Sequence, residues 1–348
     1  MMRVEPTKTQ DGLFPEIMEE RFALIFRESE IDQLEEGYEG ATRDHAIRVK
    51  SLVKRLRENA AEKLLVSIPE SWRHHCDQLE YDFPNFHEVV RFIRHQLALS
   101  AISNSVFKLP PFLLIGDAGV GKTEFVLTLA GILKTKFELI DVSNSQTGSA
   151  LSGSENFWGN TKPGMLFNTL VFSDVANPII LLDEIDKVSV VSAHKPLAAL
   201  HSLLEPRQAS QFQDLSVPEL KIDASHVVWI ATANTLEPIE KPIIDRFNVF
   251  VIDAPAPDQM QVIVKNQYQR FIEKNPAGSY FEKCAGEDVI DTLCLYHPRN
   301  VRKMLELSFG MAAYEQRNYL TVNDILSSKI KEKIETTSKG IGFMSLDI

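Results

Sequence analysis

Residues 116–123 read Gly-Asp-Ala-Gly-Val-Gly-Lys-Thr and directly follow an apolar run, Phe112 to Ile115. This is the G-x-x-x-x-G-K-[ST] spacing of a phosphate-binding loop, in the context such chemistry needs: a buried strand, a tight turn, then a helix. Gly116, Gly119 and Gly121 let the backbone curl so that successive N–H groups, those of Asp117, Ala118 and Val120 among them, turn towards phosphate oxygens. The helix that opens with Lys122, Thr123 and Glu124 adds its positive N-terminal end. The Lys122 ammonium is expected to reach the β- and γ-phosphates, and the Thr123 hydroxyl to ligate magnesium.

A second group of chemical residues follows. Residues 178–186 read Pro-Ile-Ile-Leu-Leu-Asp-Glu-Ile-Asp. The continuous apolar stretch is what a parallel strand buried on both faces looks like. Asp183 at its end is placed to hold magnesium, and Glu184 to act as general base on a water that attacks the γ-phosphate. Asn234 ends another apolar run, Ile230-Ala231-Thr232-Ala233-Asn234, and strand C-termini line the ligand crevice of an open α/β sheet. It is expected to orient that water. Arg246, just before the last strand, is expected to reach a neighbouring copy's nucleotide, where a guanidinium stabilises charge on the transferring phosphoryl group. Arg302 is expected to reach back from a lid helix to the nucleotide, with Arg299 as the competing candidate.

These residues need elements to position them. Apolar strands are expected at 112–115, 137–142, 178–183, 227–231 and 249–252, with helices between them at 122–133, 165–175 and about 197–204. Residues 143–164 are rich in Ser, Gly and Asn and read as loop. Ahead of this block, Ala46, Val49, Leu52, Val53 and Leu56 share one helical face. Asn85 is placed to cap a helix whose apolar side carries Val89, Val90, Phe92, Ile93, Leu97 and Leu99. After Pro255 and Pro257 only helical patterns remain. The expected division is 1–78, 79–254, 255–335 and a tail, 336–348.

Composition narrows the function. The chain has 348 residues, 44% apolar and 24% charged, which is ordinary for a soluble globular protein. Its net charge is −11, from 37 basic and 48 acidic residues, so nucleic acid is a disfavoured partner. The densest basic run, Arg43, Arg48, Lys50, Lys54, Arg55 and Arg57, reads as a solvated helix face. Cys76, Cys284 and Cys294 form no C-x-x-C pair and suit a reducing compartment. His74-His75-Cys76 lacks metal-ligand spacing. No signal peptide or membrane-spanning run is read, and the expected location is cytoplasmic.

Taken together, these motifs resemble the AAA+ ATPase superfamily, and within it most closely the ATPase part of the Lon proteases. The likeness spans about residues 80–330. Glu184-Ile185-Asp186-Lys187, Leu203-Leu204-Glu205-Pro206 with Gln208, Phe212 and Asp214, and Ile230–Asn234 carry it, as do Asp245-Arg246 and Val301-Arg302. Asp117-Ala118 stands where Lon phosphate loops have Pro-Pro. The resemblance implies an α/β fold: a P-loop AAA+ parallel sheet flanked by helices, a small all-helical lid domain and an N-terminal helical segment. It implies ATP and magnesium as cofactors, a homo-oligomeric ring of hexameric type, and a protein substrate or separately encoded effector as partner, with no membrane. It aligns Phe157 and Trp158 with the aromatic loop that grips a threaded polypeptide. No Ser–Lys protease motif occurs in the sequence, so no proteolysis is expected. Two rival readings are a nucleic-acid-linked motor or loader and a nucleotide switch that regulates a partner.

Overall fold

The computed structural model describes residues 20–36, 43–103, 106–142, 151–153, 162–187 and 197–328. The chain divides into two compact units, Met1–Gln259 and Met260–Ile348. Strands of the first unit are β1 (Arg21–Leu24), β2 (Glu62–Leu65), β3 (Phe112–Ile115), β4 (Phe137–Asp141), β5 (Ile179–Asp183), β6 (Phe212–Asp214), β7 (Val217–Ile222), β8 (Val228–Ala233) and β9 (Asn248–Val251). Five of them form a parallel sheet in the order β4-β5-β8-β3-β9.

The apolar runs are continuous because helices cover both sheet faces, and alternate residues serve alternate faces. Phe112, Leu114, Ile179, Leu181, Val228 and Ile230 pack with Phe86, Val90, Ile93, Phe125 and Leu129. Their neighbours Leu113, Ile180, Leu182, Trp229 and Ala231 pack on the opposite side with Leu34, Leu56, Phe167 and Leu170. Phe86 stacks on Phe125 at 4.5 Å, tying the turn Pro84–Phe86 to the helix Lys122–Leu133. Truncating such a fully buried aromatic residue to Ala costs about 3–5 kcal/mol.

The N-terminal segment contributes more than helices. β1 and β2 pair antiparallel, and Leu64 exchanges backbone hydrogen bonds with Asp174 and Ala176. Ile25, Phe26, Leu34, Val53 and Leu56 belong to the same apolar cluster as Leu182 and Trp229. The polar stretch after Glu205 holds a second unforeseen pairing, the β6–β7 hairpin. Asn85 does not cap a helix. It sits in the turn Pro84–Phe86, buried, and its amide donates to the carbonyls of Asp253 (3.1 Å) and Val120 (3.5 Å). Leu99 is exposed, because the buried stripe of the helix His87–Ser103 runs Val90, Ile93, Leu97, Ala101 and Leu99 falls outside that three- and four-residue spacing.

The regular elements of the second unit are all helices among its described residues. Its helices include Glu287–Leu293, Pro298–Tyr314 and Val322–Ser327. Val264, Tyr268, Val289, Leu293, Leu305 and Phe309 supply its own core, and Phe271 stacks on Phe309 at 4.0 Å. Thr321 and Asp324 close a reciprocal capping box at the last of these helices.

Candidate active site

Strand order decides what meets at the sheet's C-terminal rim. β3 lies beside β8, and β8 beside β5. Ile115 pairs with Ala233, and Leu182 with Ala231. The loop after β3, the end of β5 and Asn234 after β8 therefore emerge side by side, where open α/β sheets bind ligands.

Gly121 has φ +107, a left-handed conformation that a side chain disfavours, and it turns the loop into the helix Lys122–Leu133. No side chain caps that helix, so its first amides face the loop's concavity. The Lys122 ammonium, on a residue only 8% exposed, donates to the carbonyls of Gly116 (2.5 Å) and Asp117 (3.1 Å) and to Asn234 Oδ1 (3.2 Å). Burial lowers its pKa, against the opposing pull of the Asp186, Asp183, Glu184 and Asp117 carboxylates. A cation held among neutral oxygens at an uncapped helix end suits an incoming phosphate.

The Thr123 hydroxyl donates to the Asp183 carboxylate at 3.3 Å. These are hard oxygen donors of the kind magnesium takes, and magnesium usually completes its shell with water and phosphate oxygens. Among the described residues no group of three or more His, Cys, Asp or Glu could hold a metal ion by itself. The donor set fits an ion brought in with a phosphate ligand.

Thr232 is the residue that the sequence reading missed. Fully buried, its hydroxyl donates to Asp183 Oδ1 and accepts the Glu184 N–H at 2.9 Å. One side chain thus fixes both acidic residues. Glu184 has φ +57, a conformation that costs a non-glycine residue about 1–3 kcal/mol and persists when its surroundings impose it. Its carboxylate pairs with Lys187 at 2.6 Å, and this hydrogen bond raises the Lys187 pKa.

Arg246 follows the short helix Lys241–Ile244. Its partner is Glu205, not the adjacent Asp245: Nε lies 3.0 Å from Glu205 Oε1, although its N–H is not aimed at that oxygen, and Nη1 donates to the Pro242 carbonyl. Arg302 lies in the second unit, on the helix Pro298–Tyr314, and is described with that unit. Phe157 and Trp158 lie outside the described residues.

Three residues of the basic run have partners within the chain. Arg57 pairs with Asp32 and Glu35, Lys54 with Glu58, and the Arg55 guanidinium sits 3.9 Å from the Phe172 ring centroid. Cys76, Cys284 and Cys294 are free thiols, and burial pushes that of Cys76 upward. No helix among the described residues is long and apolar enough to cross a membrane.

Residues 112–253 match the family described as "ATPase family associated with various cellular activities (AAA)". A peroxisomal Lon protease homolog 2 from Oryza sativa subsp. indica is 32% identical over 175 residues, covering 49% of this chain and 20% of that protein. The Lon protease of Leptospira interrogans is 31% identical over 218 residues, covering 62% of this chain and 26% of that one. The aligned part thus spans about a fifth to a quarter of these relatives. A solved structure of the Thermotoga maritima RuvB Holliday junction branch migration motor is similar at a TM-score of 0.45 and 14% identity, covering 70% of this chain and 67% of that one.

Proposed function

We propose, from the premise that residues 112–253 are an AAA-family domain of Lon-like sequence, that this chain hydrolyses ATP with magnesium and uses the energy to remodel or thread a protein. The observation that carries the reading is the meeting of Lys122, Thr123, Asp183 and Asn234 at one rim, with Glu184 beside them. Lys122 and the amides of residues 116–124 hold phosphate oxygens. Thr123 and Asp183 hold magnesium, which when bound neutralises charge on the phosphate oxygens. Glu184 takes the proton of the attacking water and Asn234 orients that water. Thr232 keeps Asp183 and Glu184 in register.

In this reading residues 79–254 are the nucleotide-binding domain and residues 255–335 the lid, with 1–78 ahead of them and the tail 336–348 behind. Arg246 serves a neighbouring copy in a ring, of hexameric type, and Arg302 couples the lid to the nucleotide. Phe157 and Trp158 grip the polypeptide, and no proteolysis is assigned to these residues. A cytoplasmic location goes with the three free thiols. The net charge of −11 disfavours the rival reading of a nucleic-acid motor.

Removing a hydrogen-bonding hydroxyl while keeping its shape isolates the role of Thr232. Thr232→Val is expected to lower ATP turnover about 10-fold, with nucleotide affinity unchanged, because about 1–2 kcal/mol of carboxylate positioning is lost. Steady-state turnover and nucleotide titration check this. The functional reading itself is tested by measuring turnover with unfolded casein and with DNA. Stimulation by casein supports a protein-remodelling motor. Stimulation by DNA alone, or slow turnover whatever is added, replaces it with the motor-on-nucleic-acid or the switch.

A further inference from the structure

The five-stranded sheet ends at β9, which among the described residues has a neighbouring strand on one side, β3. The Asn248 N–H donates to the Pro111 carbonyl at 2.9 Å, and the Ile252 N–H, just beyond the strand, to the Ile115 carbonyl at 2.6 Å. Backbone groups of successive residues in a strand point to opposite sides. The N–H and C=O groups of Val249 and Val251 therefore point away from β3, to the open edge. The same two residues carry uncovered apolar surface. Their register partners on β3, Leu113 and Ile115, are buried in the cluster on that face, whereas Val249 and Val251 are exposed, Val251 at 65%. The layer covering this face thus reaches β3 and stops. Phe250, on the opposite face, packs against Phe92 and Phe112 and holds the strand in place.

The two edges of the sheet are built differently. β4, at the far edge, carries Glu138 and Asp141, and Glu138 pairs with Lys136 at 3.1 Å. Charges of this kind discourage the addition of another strand. From Asn248 to Val251, β9 has neither a charge nor a proline, and its shortness is its guard. Open backbone groups beside exposed valines accept an extended segment by strand addition, in which main-chain hydrogen bonds supply affinity and alternate side chains supply fit. Charge indicates whose segment it is. Asp245 and Asp253, both exposed, stand at the two ends of the strand, and Arg246 lies against Glu205. A second β9, in either direction, would set aspartates against aspartates, and β4 of a second copy is itself acidic.

We propose that β9 is a docking edge for an extended segment of another protein, with β-branched residues at alternate positions and Lys or Arg at both ends. The segment adds to the sheet as a sixth strand. Its main chain pairs with Val249 and Val251, its apolar residues cover the two valines, and its basic ends meet Asp245 and Asp253. Docking at this edge requires no ATP hydrolysis.

Fluorescence anisotropy with the full-length chain tests this. The probe is a labelled synthetic peptide, Lys-Lys-Thr-Val-Thr-Val-Thr-Lys-Lys. Its N-methylated form cannot donate main-chain hydrogen bonds, and a third peptide carries Glu in place of every Lys. The Lys peptide is expected to bind, and the other two to bind about tenfold more weakly or worse. Val251→Pro removes an open-edge N–H and none of the bonds to β3, a position where strands tolerate proline. It is expected to weaken binding of the Lys peptide about fivefold or more, the scale of one lost backbone hydrogen bond, with the thermal midpoint of the chain close to that of the wild type. Val251→Lys places a charge on the edge, is expected to abolish binding, and serves as the test should the proline variant fail to fold. No binding of the Lys peptide, equal binding of its N-methylated form, or binding unchanged in the folded Val251 variants overturns the docking edge. Equal binding of the Glu peptide overturns the basic partner. Self-association of the wild type that Val251→Lys abolishes, seen by sedimentation, makes a second copy the occupant and overturns the proposal.

Discussion

Replacing Glu184 with Gln is expected to lower ATP turnover by about 10²–10⁴-fold, the range that a positioned general base contributes. ATP affinity is expected to stay close to that of the wild type. The reason is geometric. Phosphate contact falls to Lys122 and the loop amides, whereas the Glu184 carboxylate is paired with Lys187. Gln keeps the side-chain length and the Glu184 backbone N–H bond to Thr232, so the fold at the end of β5 is preserved. Pre-steady-state phosphate release, paired with equilibrium binding of a fluorescent nucleotide, checks both halves. A variant that loses binding as well would place Glu184 in phosphate recognition and leave water activation to another residue.

Replacing Arg246 with Ala is expected to have the next largest effect, about 10³-fold on turnover, the lower end of what an arginine supplied to a transferring phosphoryl group is worth. In the single chain Arg246 rests against Glu205 and the Pro242 carbonyl. It is partly exposed, and an ion pair of that kind contributes at most about 1 kcal/mol. Glu205 therefore presents little obstacle to engagement with a neighbour. Mixing provides the sharper check. An Arg246→Ala copy retains its own Glu184, and a Glu184→Gln copy retains its Arg246. Mixed assemblies are expected to recover turnover that neither variant shows alone. Absence of recovery, with both variants assembling normally, would mean that Arg246 acts within its own chain or not at all.

The motifs at 116–123 and 178–186 were legible because their chemistry is local. Glycines, a lysine and a hydroxyl at fixed spacing specify a phosphate loop wherever the flanking strand and helix form, and an unbroken apolar run ending in Asp-Glu specifies a strand whose tip carries carboxylates. The parallel sheet was legible from the same runs. What stayed hidden depends on register between distant segments. Thr232 reads as one more small residue inside an apolar strand, and its role appears only when Leu182 is found opposite Ala231, which brings its hydroxyl to Asp183. The Arg246–Glu205 pair and the Gly164–Asp214 hydrogen bond join residues far apart in sequence, through contacts that no spacing rule encodes. The β1–β2 and β6–β7 pairings were missed for a related reason. β1, β2 and β6 have only three or four residues, β7 carries Pro218, which argues against a strand, and β1 leaves Phe22 and Leu24 exposed, so the alternation that signals a half-buried strand is weak. Asn85 misled because a short polar residue ahead of an apolar helix has the look of a cap, while its amide in fact ties the turn to Asp253.

The measurement that tests the central claim most directly is phosphate release from ATP by the purified wild-type chain, with magnesium and with the metal chelated, alongside Lys122→Ala. The account predicts turnover that requires magnesium and vanishes in the Lys122 variant together with nucleotide binding. Turnover indifferent to magnesium, or equal in wild type and variant, would contradict the assignment of the Lys122–Thr123–Asp183 rim as the site of hydrolysis.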